Sequence, residues 1–467
     1  MTDWTIASLS AAIREGKVSA VEATTQCLER ARRLDGRLRA FITLDAEGAL
    51  SEARALDAEA AAGRWRGPLH GVPLAYKDLC HIRGLPTSCG TKTAEYFSSE
   101  RDCTAVRRLR RAGAVTLGKL NMTELALGPF GDNAHHGHAQ NPWGPGHATG
   151  GSSSGSGVAV AAGLALGALG SDTGGSIRLP AACCAIAGLK PTYGRVSRAG
   201  VMPLSWSNDH IGPMARTVRD VALMLGVIAG RDPLDATSSH RPVAEYMAGL
   251  DQGIAGLRVA VPENFFFQGL DAEMEGAVRQ ALRVLEELGA RVVEIRVPDP
   301  EIMNDVCNII ARCESAAVHA RLVRERPEEI QPVVRARLEL GFRISAHDYL
   351  QALRLRSRLT RTFIREVFAD VDALVAPVIP EPAPLLAHVT AGAVDEIAER
   401  QGRFSRLTRP FNGLGLPAFA LPCGFSRAGL PLAFQVVARP FDEATVLRAG
   451  SAYERAAGWH ERRPELP

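Results

Sequence analysis

The sequence predicts an α/β fold, and three stretches carry that prediction. After Gly67-Pro68 the pattern changes to short extended pieces, Pro73 to Asp78 and Ala114 to Lys119, with a helical stretch inside 99–112 between them. Strand, helix, strand at this spacing builds an α/β sheet. A second unit repeats the order: an extended run within Ile254 to Pro262, an amphipathic helix from Ala272 to Leu288, and a strand from Ala290 to Val297. Late extended runs at Asp372 to Pro377, Ala418 to Pro422 and Leu432 to Val437 supply further strands. The last two of these are joined by a hairpin turn at Arg427-Ala428-Gly429.

In chain order, Thr5 to Leu34 carries apolar residues at helical spacing, broken near Gly16-Lys17, where Ser19 can cap a second helix that ends at Asp35-Gly36. Residues 45–63 form an Ala- and Glu-rich helix, and the whole segment reads as an outer structural layer. The helix within 99–112 bears Arg107, Arg108, Arg110 and Arg111. Such a run reads as a solvated face rather than a nucleic-acid surface. Residues 128–147 are irregular and rich in Gly, Asn, Pro and His. His135, His136 and His138 raise the question of a metal, but only Asp132 stands nearby to complete a ligand set, so a wall of the active-site cleft is the better reading. Phe265, Phe266 and Phe267 follow a strand and belong either to the core or to a substrate mouth. Residues 301–370 are again helical.

Composition limits the function. The chain has 467 residues, with hydrophobic residues at 46% and charged residues at 22%, as in a globular protein with a sizeable core. Its 54 Lys and Arg against 51 Asp and Glu give a formal charge of +3, too small to imply a nucleic-acid or membrane partner. Nine cysteines show no zinc-type spacing and read as reduced thiols. No apolar run approaches the ~20 residues of a membrane helix, and the start has no secretory pattern. A cytoplasmic enzyme is the expectation.

The chemistry concentrates in His147 to Pro180, HATGGSSSGSGVAVAAGLALGALGSDTGGSIRLP. Glycine serves where a backbone must take φ > 0 or approach another group, and serine adds hydroxyls that donate, accept or attack. A flexible linker would not enclose the apolar run Val158 to Leu169, which reads as a tightly packed buried helix. The second knot delivers Ser176 directly after Gly174-Gly175, and successive N–H groups at such a turn can converge on an anion. This stretch resembles the signature of the amidase signature enzymes, in which a Gly-Gly-Ser-Ser-Gly segment precedes Gly-Ser-Asp-Thr-Gly-Gly-Ser-Ile-Arg. Gly71 to Asp78 is similar to the lysine strand of that family. Its spacing to the serines also fits, with 75 residues from Lys77 to Ser152 and 24 from Ser152 to Ser176. The likeness continues through Gly188 to Ser197 and Asp209 to Arg216.

The resemblance implies one large α/β/α domain over 1–467, a central mixed twisted sheet covered by helices. Its parts would be an outer helical layer (1–66), a catalytic core (67–220), an inserted helical, substrate-side region (250–370) and C-terminal strands completing the sheet (371–467). It implies a catalytic set of Lys77, Ser152 and Ser176, a cis peptide between Gly151 and Ser152, and an oxyanion hole from the N–H groups of Thr173, Gly174, Gly175 and Ser176. Ser176 would attack, Ser152 would relay its proton, and Lys77 would accept it. A free lysine near ~10.4 is almost wholly charged at pH 7, but burial in the apolar context Pro-Leu-Ala-Tyr-Lys can lower it by several units. Arg178 would brace the turn against Asp172, Ser153 and Ser154 would satisfy backbone groups, and Lys190 would be a turn residue of the scaffold.

Two functions fit. One is a stand-alone hydrolase of amides, with esters or carbamates as relatives of that substrate, which needs no cofactor and no metal and works as a monomer or homodimer. The other is the glutamine-hydrolysing component of a glutamyl-tRNA amidotransferase, similar over nearly the whole chain, which passes ammonia to a partner. The resemblance to that component implies an arginine, an aspartate and a tyrosine that hold glutamine. Arg356 can match the arginine, but the aspartate position falls near Ser405 and the tyrosine position near Val323, which favours the hydrolase. Gly128, Phe130, Phe265 and Arg356 are the candidate substrate contacts, and with them an apolar or aromatic substrate portion is expected.

Overall fold

The computed structural model describes residues 4–93 and 99–466; the first three residues of the expected outer layer lie outside them. The centre is a mixed sheet of eleven strands in the order β1-β3-β2-β4-β6-β5-β10-β11-β9-β7-β8. In chain order these are β1 Phe41–Leu44, β2 Pro73–Lys77, β3 Val115–Leu120, β4 Gly167–Asp172, β5 Ala187–Lys190 and β6 His210–Ala215. They continue with β7 Arg258–Pro262, β8 Arg291–Ile295, β9 Ala373–Pro377, β10 Ala418–Phe425 and β11 Pro431–Ala438. β2 runs parallel to β3 and β4, and β7 runs parallel to β8 and β9. The remaining pairs are antiparallel. β2, β4, β5, β6 and β11 are buried along their whole length, which requires cover on both faces. No helix among the described residues is long and apolar enough to cross a membrane.

The first helix, Ile6–Arg14, ends before Gly16, and the second, Ala20–Leu38, is capped by Ser19, whose Oγ accepts from Glu22 N–H while Glu22 accepts from Ser19 N–H. That reciprocal pair is a capping box. The outer layer is not purely helical, because β1 turns back from it and pairs antiparallel with β3. β1 has only four residues, all half-buried, so no alternation marks it in the sequence.

The run from Val158 to Leu169 is not one helix. A helix from Ser154 to Ala161 ends there, Gly163 turns the chain at φ 66°, and β4 follows. Every residue from 154 to 172 is buried, so no polar face exists from which the period of helix or strand could be read.

The arginine-rich helix is Thr104–Arg111, and its arginines form a solvated face only in part: Arg111 is exposed, while Arg108 and Arg110 are tied into the fold. Arg108 donates to the carbonyls of Ile228, Ala229 and Gly230 at 2.6, 2.9 and 3.0 Å, covering the end of the helix Val218–Ile228. Arg110 pairs with Asp102 at 3.0 Å and with Glu52. The later region adds β7, the helix Ala272–Glu287 and β8 to the same sheet, then long helices from Pro300 to Val367 that pack on a second core containing Phe265, Phe266, Phe363 and Phe411.

Candidate active site

Three lysines are fully buried, and their surroundings separate them. Lys119, on β3, lies 2.8 Å from the Asp78 carboxylate and also donates to Pro86 O and Thr87 Oγ1. Lys190, at the end of β5 rather than in a turn, donates to the carbonyls of Leu416 and Pro191. Lys77, the last residue of β2, has no carboxylate partner among the described residues; its Nζ donates to Ser152 Oγ at 2.6 Å and Ser171 Oγ at 2.9 Å. Burial lowers its pKa to about 7 despite the opposing pull of Cys80, Asp172 and Asp209. It is a buried amine whose neighbours are hydroxyls, which accept it in either protonation state.

Ser152 follows a cis peptide bond with Gly151. The glycines before it are needed for contact as well as conformation. A Cβ on Gly151 would stand 2.5 Å from Gly128 O and 2.8 Å from Thr123 Oγ1, so the loop after β3 and the Gly-Ser knot touch through backbone. The N–H of Ser153 donates to the carbonyl of Ser176 at 3.3 Å, which joins the two knots. Ser153 Oγ hydrogen-bonds with the backbone of β4 at Ser171, the backbone-satisfying role expected of it, and Ser156 Oγ does the same at Leu169. Ser154 Oγ, of which that role was also expected, is buried with no hydrogen-bond partner among the described residues.

The second knot is folded around Asp172. Its carboxylate accepts from Gly175 N–H at 2.6 Å, Ile177 N–H at 3.2 Å and Arg178 Nε at 3.0 Å, and from Asn412 Nδ2 at 2.8 Å. Burial alone would raise this carboxyl, but the Arg178 guanidinium and these donors hold it well below its usual range. Gly175 N–H is therefore turned into the protein, which removes it from the expected oxyanion donors. The N–H groups of Thr173, Gly174 and Ser176 have no protein acceptor among the described residues. Thr173 is fixed by its hydroxyl, which donates to Asp209 Oδ1 at 2.6 Å, and Asp209 is pushed up to about 6 by burial. Ser176 is half-buried, and its Oγ makes no protein hydrogen bond among the described residues.

A cleft opens over this loop. Its walls include Gly128 and Pro129, Thr173, Gly174 and Ser176, together with Arg312, Arg337, Ser405 and Arg409. Gly128, a candidate substrate contact, lines this cleft. Phe130 is buried against Phe404, with ring centroids 5.1 Å apart, one residue behind the wall. Phe265 is 7% exposed in the second core, under the Arg406 guanidinium, and does not line the cleft; an edge contact with Phe266 holds it there. Arg356 also lies elsewhere, donating to Ser207 O, Ser207 Oγ and Asn208 Oδ1. The expected phenylalanines do not line the cleft, whose apolar walls include Ala126, Leu127, Pro129, Leu179 and Leu204, joined by three guanidinium groups. Ser171 and the three arginines are the residues that sequence reasoning passed over. Ser171 stood inside the motif, whereas Arg312 and Arg337 carry no local signal.

The histidines of 128–147 have separate partners: His135 Nε2 with Glu124 Oε1, His136 Nε2 with Thr91 O, and His138 Nδ1 with Asn133 N–H. No group of three or more His, Cys, Asp or Glu is placed to hold a metal ion among the described residues.

Comparison with known proteins gives a consistent family. A family model described as Amidase matches residues 22–447. A protein named amidase from Pseudomonas putida is 44% identical over 468 residues, covering 100% of this chain and 98% of its own length. The A-type subunit of a glutamyl-tRNA(Gln) amidotransferase from Roseiflexus sp. (strain RS-1) is 43% identical over 489 residues, covering 99% and 98%. Among solved structures, a peptide amidase in complex with the competitive inhibitor chymostatin superposes with a TM-score of 0.88 at 31% identity, covering 100% of this chain and 99% of its own.

Proposed function

The chain belongs to the amidase family, and on that premise we propose that it cleaves a linear amide by itself, through an acyl group carried on Ser176. The observation that carries this reading is the contact of a carboxylate-free, buried Lys77 with Ser152 at 2.6 Å. Amide hydrolysis needs a nucleophile, a route for its proton and a site for the charge that builds on the carbonyl oxygen. Ser176 Oγ attacks the carbonyl carbon and gives its proton to Ser152 Oγ, while the Ser152 proton moves to neutral Lys77 Nζ. The oxyanion is received by the N–H groups of Thr173, Gly174 and Ser176. The intermediate collapses as the C–N bond breaks, and the departing nitrogen takes the proton back from Lys77 through Ser152. Water then adds to the acyl-Ser176 ester by the same relay and releases the acid.

The second reading, the glutamine-hydrolysing component of an amidotransferase, is favoured by the Roseiflexus relative. Against it stands the cleft, whose described lining has three arginines and no carboxylate. The α-carboxylate of glutamine would meet the arginines, but its α-ammonium group would find no carboxylate partner in that described lining. The test is turnover by the purified chain alone of a primary amide, an anilide and glutamine, each repeated with Ser176→Ala. The expected outcome is hydrolysis of a non-glutamine amide, reduced by roughly 1,000-fold or more in the variant. Glutaminase activity that needs added partner proteins would establish the second reading instead.

A further inference from the structure

We propose that the substrate is a small amide bearing a carboxylate, and that Arg312, Arg337 and Arg409 receive that carboxylate in the cleft that Ser176 lines. This deepens the hydrolase reading and rests on Ser176 being the nucleophile. The three arginines come from separate elements: the helix Pro300–Val318, the helix Pro332–Gly341 and the start of the short helix Arg409–Gly413. All three line the cleft that contains Ser176. Arg409 lies against the oxyanion loop itself, since a Cβ on Gly174 would stand 3.3 Å from Arg409 Cγ.

What marks the cluster is how little anionic charge answers it. Among the described residues none of the three has a carboxylate within ion-pair distance, although the chain pairs many arginines elsewhere. Arg409, 8% exposed, is held by neutral oxygens: Gly402 O at 3.1 Å, Gln401 O at 3.4 Å, Asn304 Oδ1 at 3.4 Å and Ser405 Oγ at 2.5 Å. Arg337 gives one N–H to Gln401 Oε1 at 2.8 Å, and the Arg312 guanidinium gives none to the described residues. Burial and then repulsion by Arg409 and Arg312 pull Arg337 down to about 10, while Asp132 pulls the other way. Burial likewise lowers Arg409 to about 10, with Cys307 and Asp305 opposing it and Arg312 adding to it. A guanidinium does not give up its proton in practice, so the repulsion persists as a positive potential until an anion enters. Arginine's planar fork is the donor best matched to a carboxylate. The cleft is also small, with a cavity volume of ≈ 70 Å³.

The test is calorimetric binding to Ser176→Ala protein, in which no substrate is consumed. Succinamate is compared with succinamide, its neutral counterpart, and with the cationic β-alaninamide. Succinamate is expected to bind at least about tenfold more tightly than succinamide and to weaken as salt is raised, with β-alaninamide weakest. Adding Arg312→Gln, at an exposed position, or Arg337→Gln is expected to erase most of that preference, and Arg337→Lys to restore part of it. Equal or tighter binding of succinamide, or no binding of any of the three, would overturn the proposal. Turnover by the unmodified chain keeps the two readings apart. Ser176-dependent hydrolysis of amides with no anion preference removes the carboxylate site and leaves the hydrolase, whereas tight succinamate binding with no amide cleavage does the reverse.

Discussion

A lysine serves as a base where burial outweighs the groups that reward its charge and a hydroxyl lies within reach of the neutral amine. Burial lowers Lys77 and Lys190 alike, and of the three buried lysines Lys77 is the one that meets serine hydroxyls. Lys119 has Asp78 at 2.8 Å, and Lys190 is fixed by carbonyls. Lys77 has only Ser152 and Ser171 as hydrogen-bond partners among the described residues and falls from its ordinary 10.5 to about 7 through burial. The sign of the pH effect follows. Below about 7 the neutral fraction falls tenfold per unit, and only the neutral amine can take the proton, so kcat/KM should drop tenfold per unit on the acid side and level off above. A kcat/KM profile from pH 5 to 9 with a neutral amide checks this; a flat acid limb would contradict it. Lys77 was legible in the sequence because the motif and an apolar strand coincide there. Ser171 was printed in the same motif, but its bond to Lys77 depends on β2 and β4 lying side by side, which spacing alone does not reveal.

At the scale of elements, the working unit is β4, the turn 173–177 and the helix Arg178–Cys184, folded around one carboxylate. Gly175 is required there twice over: its φ is 130°, and a Cβ would stand 2.3 Å from Thr408 Oγ1 and 2.9 Å from Leu179 Cγ. Gly175→Ala should therefore displace the loop against the segment that braces it. The cost should be on the order of 1–3 kcal/mol, read as a lowered Tm together with a fall in kcat that exceeds any change in KM. An unchanged kcat would mean that the turn is not the oxyanion site. The two knots were visible as composition, and Arg178 with Asp172 as a brace. The inward turn of Gly175 N–H was not, because it depends on Asp172 collecting donors from both sides of the turn. The run Val158 to Leu169 failed for a different reason: a fully buried segment shows the same apolar residues whether it is helix or strand.

Across the whole molecule, the site is assembled from distant parts of the chain by one buried guanidinium. Arg178 pairs with Asp172 and also donates to Gln435 Oε1 at 2.8 Å on β11, to Asn412 Oδ1 at 2.6 Å and to Thr408 O at 3.0 Å. The last strands thus hold the turn 173–177 in place. The two strand–helix–strand units and the C-terminal hairpin were readable from local pattern, and the sheet order was not, since it is set by pairings such as β5 with β10. The same limit explains the cleft. Phe265 was a reasonable guess from three consecutive aromatics, but packing drew it into the second core, while Arg312, Arg337 and Arg409 meet only in three dimensions. The central claim, that a neutral Lys77 activates Ser176 through Ser152, is tested most directly by mapping the site and rate of phosphonylation by a fluorophosphonate. A single adduct on Ser176, forming faster as pH rises through about 7 and at least roughly 100-fold more slowly in Lys77→Met, is the expected result. An adduct on another residue, or an equal rate in the variant, would contradict it.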